Sequence, residues 1–206
     1  MQMDIVRYGI IGTAEIALNQ HIPAARESAN SEVLAISSRD QARARQAAEK
    51  HGIPRWYGSY DALLDDPDVD AVINCLPNSL HSEWTIRAAE AGKHVLCEKP
   101  LAITVDEARR MIDATNYNKV VLVEAFTHRW NLHLRRAREL IADGVIGHVT
   151  GLTAALTFSV AQPDGNIRFS PELAGGSLLD AGCYAVYACR FVLGEEPRRA
   201  VGFAYD

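Results

Sequence analysis

The feature that most constrains this chain is the alternation of two hydrophobic periods through its first 124 residues. Short apolar runs, IVRYGIIG (5–12), EVLAISS (32–38), VDAVINCLP (69–77), KHVLC (93–97) and KVVLVEA (119–125), alternate with helical spacing at 14–27, 40–52, 79–92 and 104–116. Trp56-Tyr57 marks a minimal further strand, and SYDALLDD a short helix capped by Ser59. The apolar runs lack strict alternation, so both their faces are covered. Strand–helix repetition of this kind predicts a Rossmann-like α/β fold, a doubly wound parallel sheet with helices on both sides. Right-handed crossovers place the strand C-terminal ends along one edge, where ligands of such sheets bind. Thr104-Val105-Asp106-Glu107 reads as a capping box that starts the last of these helices.

The pattern changes after residue 130. NLHLRRARELIADG (131–144) is an amphipathic helix stopped by Gly144, and LTAALTFSV (152–160) alternates like a strand with one covered face. A loop with Pro163, Gly165 and Pro171 leads to a helix over 175–194, and RRAVGFAY (198–205) begins a second strand. The expectation is a dinucleotide-binding domain over 1–124, then part of a substrate and dimerisation domain over 125–206, built as α+β with an open, mainly antiparallel sheet. Two strands make a marginal ribbon, so the chain is expected to be C-terminally truncated, ending inside this second domain.

A net charge of -5 offers no basic excess for nucleic acid or an acidic membrane. No apolar run approaches the ~18 residues that span a bilayer, and the N-terminus lacks the features of a signal peptide. Cys75, Cys97, Cys183 and Cys189 form no CxxC pair. They read as free thiols of a cytoplasmic protein, and no metal site is expected.

The first strand ends in Gly12-Thr13-Ala14-Glu15-Ile16-Ala17, where a dinucleotide fold keeps GxGxxG. Ala14 puts a Cβ where backbone would approach a pyrophosphate, so the motif alone also fits a plain turn before a packed helix. Strand two ends in Ser37-Ser38-Arg39, with no acid to bond a ribose 2′-hydroxyl. Arg39 and Ser38 instead suit a 2′-phosphate, which predicts NADP(H) as the preferred cofactor and NAD(H) as the lesser one. The alternative for Arg39 is a surface position ahead of a helix capped by Asp40.

HVLCEKPLA (94–102) ends a strand in Glu98-Lys99-Pro100, on the ligand edge. Lys99 can donate to a substrate oxygen that gains charge during hydride transfer; the plain alternative is a polar strand exit. In GGSLLDAGCY, Asp180 and Tyr184 stand four residues apart on one helix face among apolar neighbours. They form either a buried structural pair or the far side of a cleft facing Lys99.

With these residues in hand, the chain resembles the Gfo/Idh/MocA family of oxidoreductases over essentially its whole length. The resemblance rests on GIIGTAEIA, INCLPNSLH, AGKHVLCEKPLA, VEAFTHRW, DGVIGHV and GGSLLDAGCY. It is nearest the branch of dimeric dihydrodiol dehydrogenase, xylose dehydrogenase and glucose–fructose oxidoreductase. The resemblance implies that Lys99 and Tyr184 handle the proton, with Asp180 in support. It places Glu98 and Lys99 on the nicotinamide ribose, and Gly12, Thr13, Ala14 and Ile16 on the pyrophosphate. Ser38 and Arg39 would take the adenosine phosphate. Leu76, Pro77, Asn78 and His81 would border the nicotinamide half, although His81 also reads as an ordinary polar residue at a helix start. Arg129, Trp130, Asn166 and Arg168 would shape the substrate pocket. Lys99 is expected to lower the pKa of Tyr184. The implied activity is NAD(P)-dependent hydride transfer to or from a sugar, polyol or dihydrodiol, in a full-length homo-oligomer. A nucleotide-binding regulator and an inactive fragment stand as alternatives.

Overall fold

The computed structural model describes residues 5–203. Six strands, β1 (Val6–Ile11), β2 (Ser31–Ser37), β3 (Arg55–Tyr57), β4 (Ala71–Asn74), β5 (His94–Glu98) and β6 (Leu122–Ala125), form one sheet. The order is β3-β2-β1-β4-β5-β6 and every pairing is parallel. The chain therefore reverses its winding direction between β1 and β4, and a crevice opens above the strand ends there.

Five helices cover the sheet: α1 (Ile22–Glu27), α2 (Gln41–His51), α3 (Tyr60–Leu64), α4 (His81–Glu90) and α5 (Val105–Tyr117). Successive side chains of a strand face opposite sides, and the core divides accordingly. Ile10, Ile36 and Ile73 pack with Ala25, Ala47 and Ala48 of α1 and α2. Their neighbours Ile11, Ala35 and Val72 pack with Leu63, Ala88 and Met111 of α3, α4 and α5. The doubly wound expectation thus holds.

The boundaries follow local chemistry. Asp40 accepts from the N–H groups of Ala42 and Arg43 at the start of α2, and Gly52 ends it at φ 58°. Ser59 caps α3 through Ala62 N–H. Thr104 Oγ1 accepts from Glu107 N–H, and Glu107 reaches back to Ile103 N–H, completing the capping box.

Beyond β6, α6 (Leu132–Ala142) packs against α7 (Cys183–Leu193). A π-helical turn, Leu178–Gly182, leads into α7, and another, Ala17–His21, leads into α1. No helix of the described residues is long and apolar enough to cross a membrane.

The strands expected at 152–160 and 198–205 correct the sequence reading. Neither is formed among the described residues, and positions 204 and 205 lie outside them. The open antiparallel sheet is accordingly not present in the described residues. A strand exists only if a neighbour takes its N–H and C=O groups, and among the described residues no backbone hydrogen bond ties either stretch to a neighbour. Phe158 and Phe203 stand in solvent, 54% and 82% exposed.

Candidate active site

A cleft of about 500 Å³ lies over the C-terminal ends of β1, β4 and β5. Ala14 and Ile16, then Gln20, His21 and Ala24, form one wall, and Cys75, Leu76, Asn78 and His81 the floor. Glu98 and Lys99 enter from the end of β5. The opposite wall is Arg168, Leu173, Gly175, Asp180 and Tyr184.

Lys99, Asp180 and Tyr184 are brought together, as the sequence suggested. Lys99 Nζ donates to the Asp180 carbonyl oxygen at 2.6 Å and to its Oδ1 at 2.9 Å. Both side chains are 16% exposed. Two of the three ammonium N–H bonds are thus committed, which leaves one for a ligand. The Lys99–Pro100 peptide bond is cis. Asp180 Oδ2 accepts from Arg168 Nε at 2.8 Å, so one carboxylate bridges two cations. Burial works against the Asp180 carboxylate, but Lys99 and Arg168 outweigh it and hold its pKa below the usual range.

Tyr184 overturns one expectation. Lys99 Nζ lies 5.2 Å from the centre of the Tyr184 ring, held there by Asp180. Burial, followed by the negative charge of Glu98, pushes the Tyr184 phenol up to about 12. The net shift is upward, against the expected lowering. The ring packs on Phe126 and His128, with centroids at 4.9 and 4.2 Å, which seats the start of α7 against the exit of β6.

The other expected residues divide. Gly12 sits at φ 94° with its N–H on the Ser37 carbonyl. A Cβ there would stand 3.1 Å from Leu76 Cδ2, so the turn is tight against the loop after β4. Gly12 and Thr13 shape the turn while Ala14 and Ile16 face the cleft. The Ala14 Cβ leaves the cleft open, and the first-turn N–H groups that follow have no intrahelical partners. This chemistry fits a dinucleotide pyrophosphate. Ser38 is buried and accepts from Asp40 N–H, while Arg39 is exposed beside it at the end of β2, outside the cleft. Pro77 precedes the Asn78–Leu80 turn, and Asn78 Nδ2 donates to the Ala174 carbonyl, tying the two walls.

His81 is not free to meet a ligand. Its Nδ1 lies 2.8 Å from the Pro100 carbonyl and its Nε2 2.8 Å from the Leu76 carbonyl, and it is buried. It fastens the loops that carry Leu76 and Lys99. Arg129 and Trp130 line a separate groove with Phe126 and Tyr187, away from the cleft, because the turn after β6 directs them to the far side of α7. Asn166 caps the turn that presents Arg168, which does reach the cleft. Sequence reading passed over His21, whose Nε2 lies 2.7 Å from Glu98 Oε1. No motif flags it; the only signal is a histidine four residues after the buried Ala17.

Comparison with known proteins follows this geometry. The family described as "Oxidoreductase family, NAD-binding Rossmann fold" matches residues 6–126, and "GFO/IDH/MocA C-terminal domain" matches 134–205. D-xylose 1-dehydrogenase (NADP(+)) 2 of Haloferax volcanii is 48% identical over 193 residues, covering 93% of this chain and 58% of that protein. A 3-ketoreductase from Actinomadura kijaniata, solved with NADP and TDP-benzene, superposes with TM-score 0.87 at 37% identity, over 92% of this chain and 58% of that one. Aldose-aldose oxidoreductase from Caulobacter crescentus, solved with glycerol, gives TM-score 0.84 at 36% identity, over 94% and 59%. The chain spans just under three fifths of the length of these relatives.

Proposed function

The chain belongs to the GFO/IDH/MocA oxidoreductase family, and on that premise we propose that it is an NAD(P)-dependent oxidoreductase of sugar-like substrates, with NADP(H) preferred. The observation that carries this reading is the convergence of Lys99, Asp180 and Tyr184 on a cleft at the sheet's switch point. Residues 1–124 serve as the dinucleotide-binding unit and 125–206 contribute the substrate side, a division supported by the two family matches. The named relatives, a xylose dehydrogenase and a ketoreductase, support a sugar or related carbinol as substrate.

When bound, the nicotinamide supplies the hydride donor or acceptor. The chain's own residues do the rest. The turn at Gly12 and Thr13, with Ala14 and Ile16, receives the pyrophosphate, and Leu76, Pro77, Asn78 and Glu98 border the nicotinamide ribose. Lys99 points its remaining N–H at the substrate oxygen and stabilises negative charge there. Asp180 keeps that ammonium aimed. Tyr184 exchanges a proton with the same oxygen. His81 acts indirectly, by holding the Pro100 and Leu76 carbonyls.

The high Tyr184 pKa sets a pH dependence. The phenol is protonated at neutral pH, ready to donate during carbonyl reduction, whereas alcohol oxidation requires its deprotonated form. Reduction should therefore hold level through the neutral and mildly alkaline range while oxidation rises with pH, and Tyr184→Phe should abolish that rise. Oxidation that slows as pH increases would remove Tyr184 from the proton step.

Cofactor choice is tested by titrating NADPH and NADH into the wild type and Arg39→Ala. Loss of a charged contact to the 2′-phosphate should weaken NADPH by roughly ten- to a hundredfold and leave NADH unaffected. Equal discrimination in both proteins would remove Arg39 from the site. NADP⁺ reduction across aldoses, polyols and trans-dihydrodiols then sorts the substrate class.

A further inference from the structure

Glu98 and Lys99 are consecutive, and each is held by a side chain from a different wall of the cleft. Lys99 is held by Asp180, which lies within the π-turn Leu178–Gly182. Glu98 is held by His21, the last residue of the π-turn Ala17–His21. A π-turn carries an extra residue and shifts the following side chains around the helix; such turns recur at functional sites.

The Glu98 carboxylate is fixed at both oxygens. Oε1 meets His21 Nε2 at 2.7 Å, and Oε2 accepts the Lys99 N–H at 3.1 Å. The His21 and Glu98 side chains are only 16% and 14% exposed, so the contact is shielded from bulk water. His21 also belongs to the segment that starts at the Gly12 turn, and its ring lines the cleft beside Gln20 and Ala24. It therefore links the wall assigned to the pyrophosphate with the acid assigned to the ribose.

We propose that His21 is a positioning residue for the nicotinamide half of the bound dinucleotide, acting by holding the Glu98 carboxylate in the orientation that receives the ribose hydroxyls. This rests on the reading of the cleft as a nucleotide site. Without the imidazole, Glu98 keeps its Lys99 N–H contact, but Oε1 is free to turn. The loss falls on the nicotinamide end alone. The adenosine end, at Ser38 and Arg39, makes no contact with either residue.

The test titrates NADPH and adenosine 2′,5′-bisphosphate into the wild type, His21→Leu and His21→Gln. The bisphosphate lacks the nicotinamide half and also reports whether each variant is folded. His21→Leu should weaken NADPH by about tenfold while bisphosphate affinity stays within about twofold. His21→Gln, whose amide can donate to the same oxygen, should recover most of the loss. Unchanged NADPH affinity in His21→Leu, an equal loss for both ligands, or no recovery in His21→Gln would overturn the inference and leave the nucleotide site standing. A wild type that binds neither ligand would overturn the nucleotide reading and this inference with it.

Discussion

Lys99→Ala is expected to lower turnover of a sugar substrate by roughly 10²–10⁴-fold, the scale of a positioned acid/base group. Affinity for NADPH should largely survive, because the pyrophosphate turn and Ser38-Arg39 lie apart from the lysine. The reason is the commitment of the ammonium. Asp180 takes two of its N–H bonds, at 2.6 and 2.9 Å, and aims the third. Removal also leaves the Asp180 carboxylate with Arg168 as its remaining charged partner, so the wall opposite the nucleotide loses one positive charge. Steady-state rates with NADP⁺ and an aldose, set beside NADPH titrations, separate the two effects. Turnover close to the wild-type value would remove Lys99 from the chemistry, while joint loss of rate and NADPH binding would make it a cofactor-holding residue only.

The second large effect belongs to a residue without a side chain. Gly175 donates its N–H to the Ser170 carbonyl, and Gly176 donates to the Arg168 carbonyl, closing the loop that presents Arg168. A Cβ at 175 would stand 2.5 Å from the Arg168 carbonyl oxygen and 2.6 Å from that of Ile167. These are backbone atoms, so the loop itself must move, at a cost of about 1–3 kcal/mol. The movement reaches the site by two routes. Arg168 holds Asp180 Oδ2, and the neighbouring Ala174 carbonyl receives Asn78 from the nucleotide side. Misplacement of about 1 Å at a catalytic group can cost 10²-fold. Gly175→Ala should therefore reduce kcat/KM by about that factor and lower the thermal midpoint. Affinity for adenosine 2′,5′-bisphosphate, whose proposed contacts at Ser38 and Arg39 lie away from Asn78, should change little. A Gly175→Ala protein with wild-type kcat/KM would mean that the loop does not position the Asp180 carboxylate.

Much of the nucleotide-binding half was legible because its signals are local. Apolar runs, Asp40, Ser59 and the Thr104–Glu107 box each act within a few residues, and each does what its chemistry suggested. Lys99, Asp180 and Tyr184 were legible only as candidates, with a polar strand exit and a buried Asp–Tyr pair as open alternatives, and it is the tertiary structure that lines one cleft with all three. The second half was harder. LTAALTFSV alternates as a strand should, yet alternation describes only the faces of a strand. It supplies no neighbour to take the backbone hydrogen bonds, and none of the described residues does so. Arg129 and Trp130 were misplaced for a related reason: the short turn after β6 decides on which side of α7 they emerge.

By itself, the order of residues determined the parallel sheet and the edge of strand ends over which the cleft opens, and it singled out three polar candidates for that edge. Only the tertiary structure decided their partners. It set Glu98 against His21, 77 positions away, and Lys99 against Asp180, 81 positions away. It occupied both nitrogens of His81, and it raised the Tyr184 phenol where nearness to a lysine had suggested the reverse. Spacing along a helix or strand is a property of one element. Hydrogen-bond partners and the exclusion of water arise from atoms that different elements bring together, and it is those that set the energy of a charge.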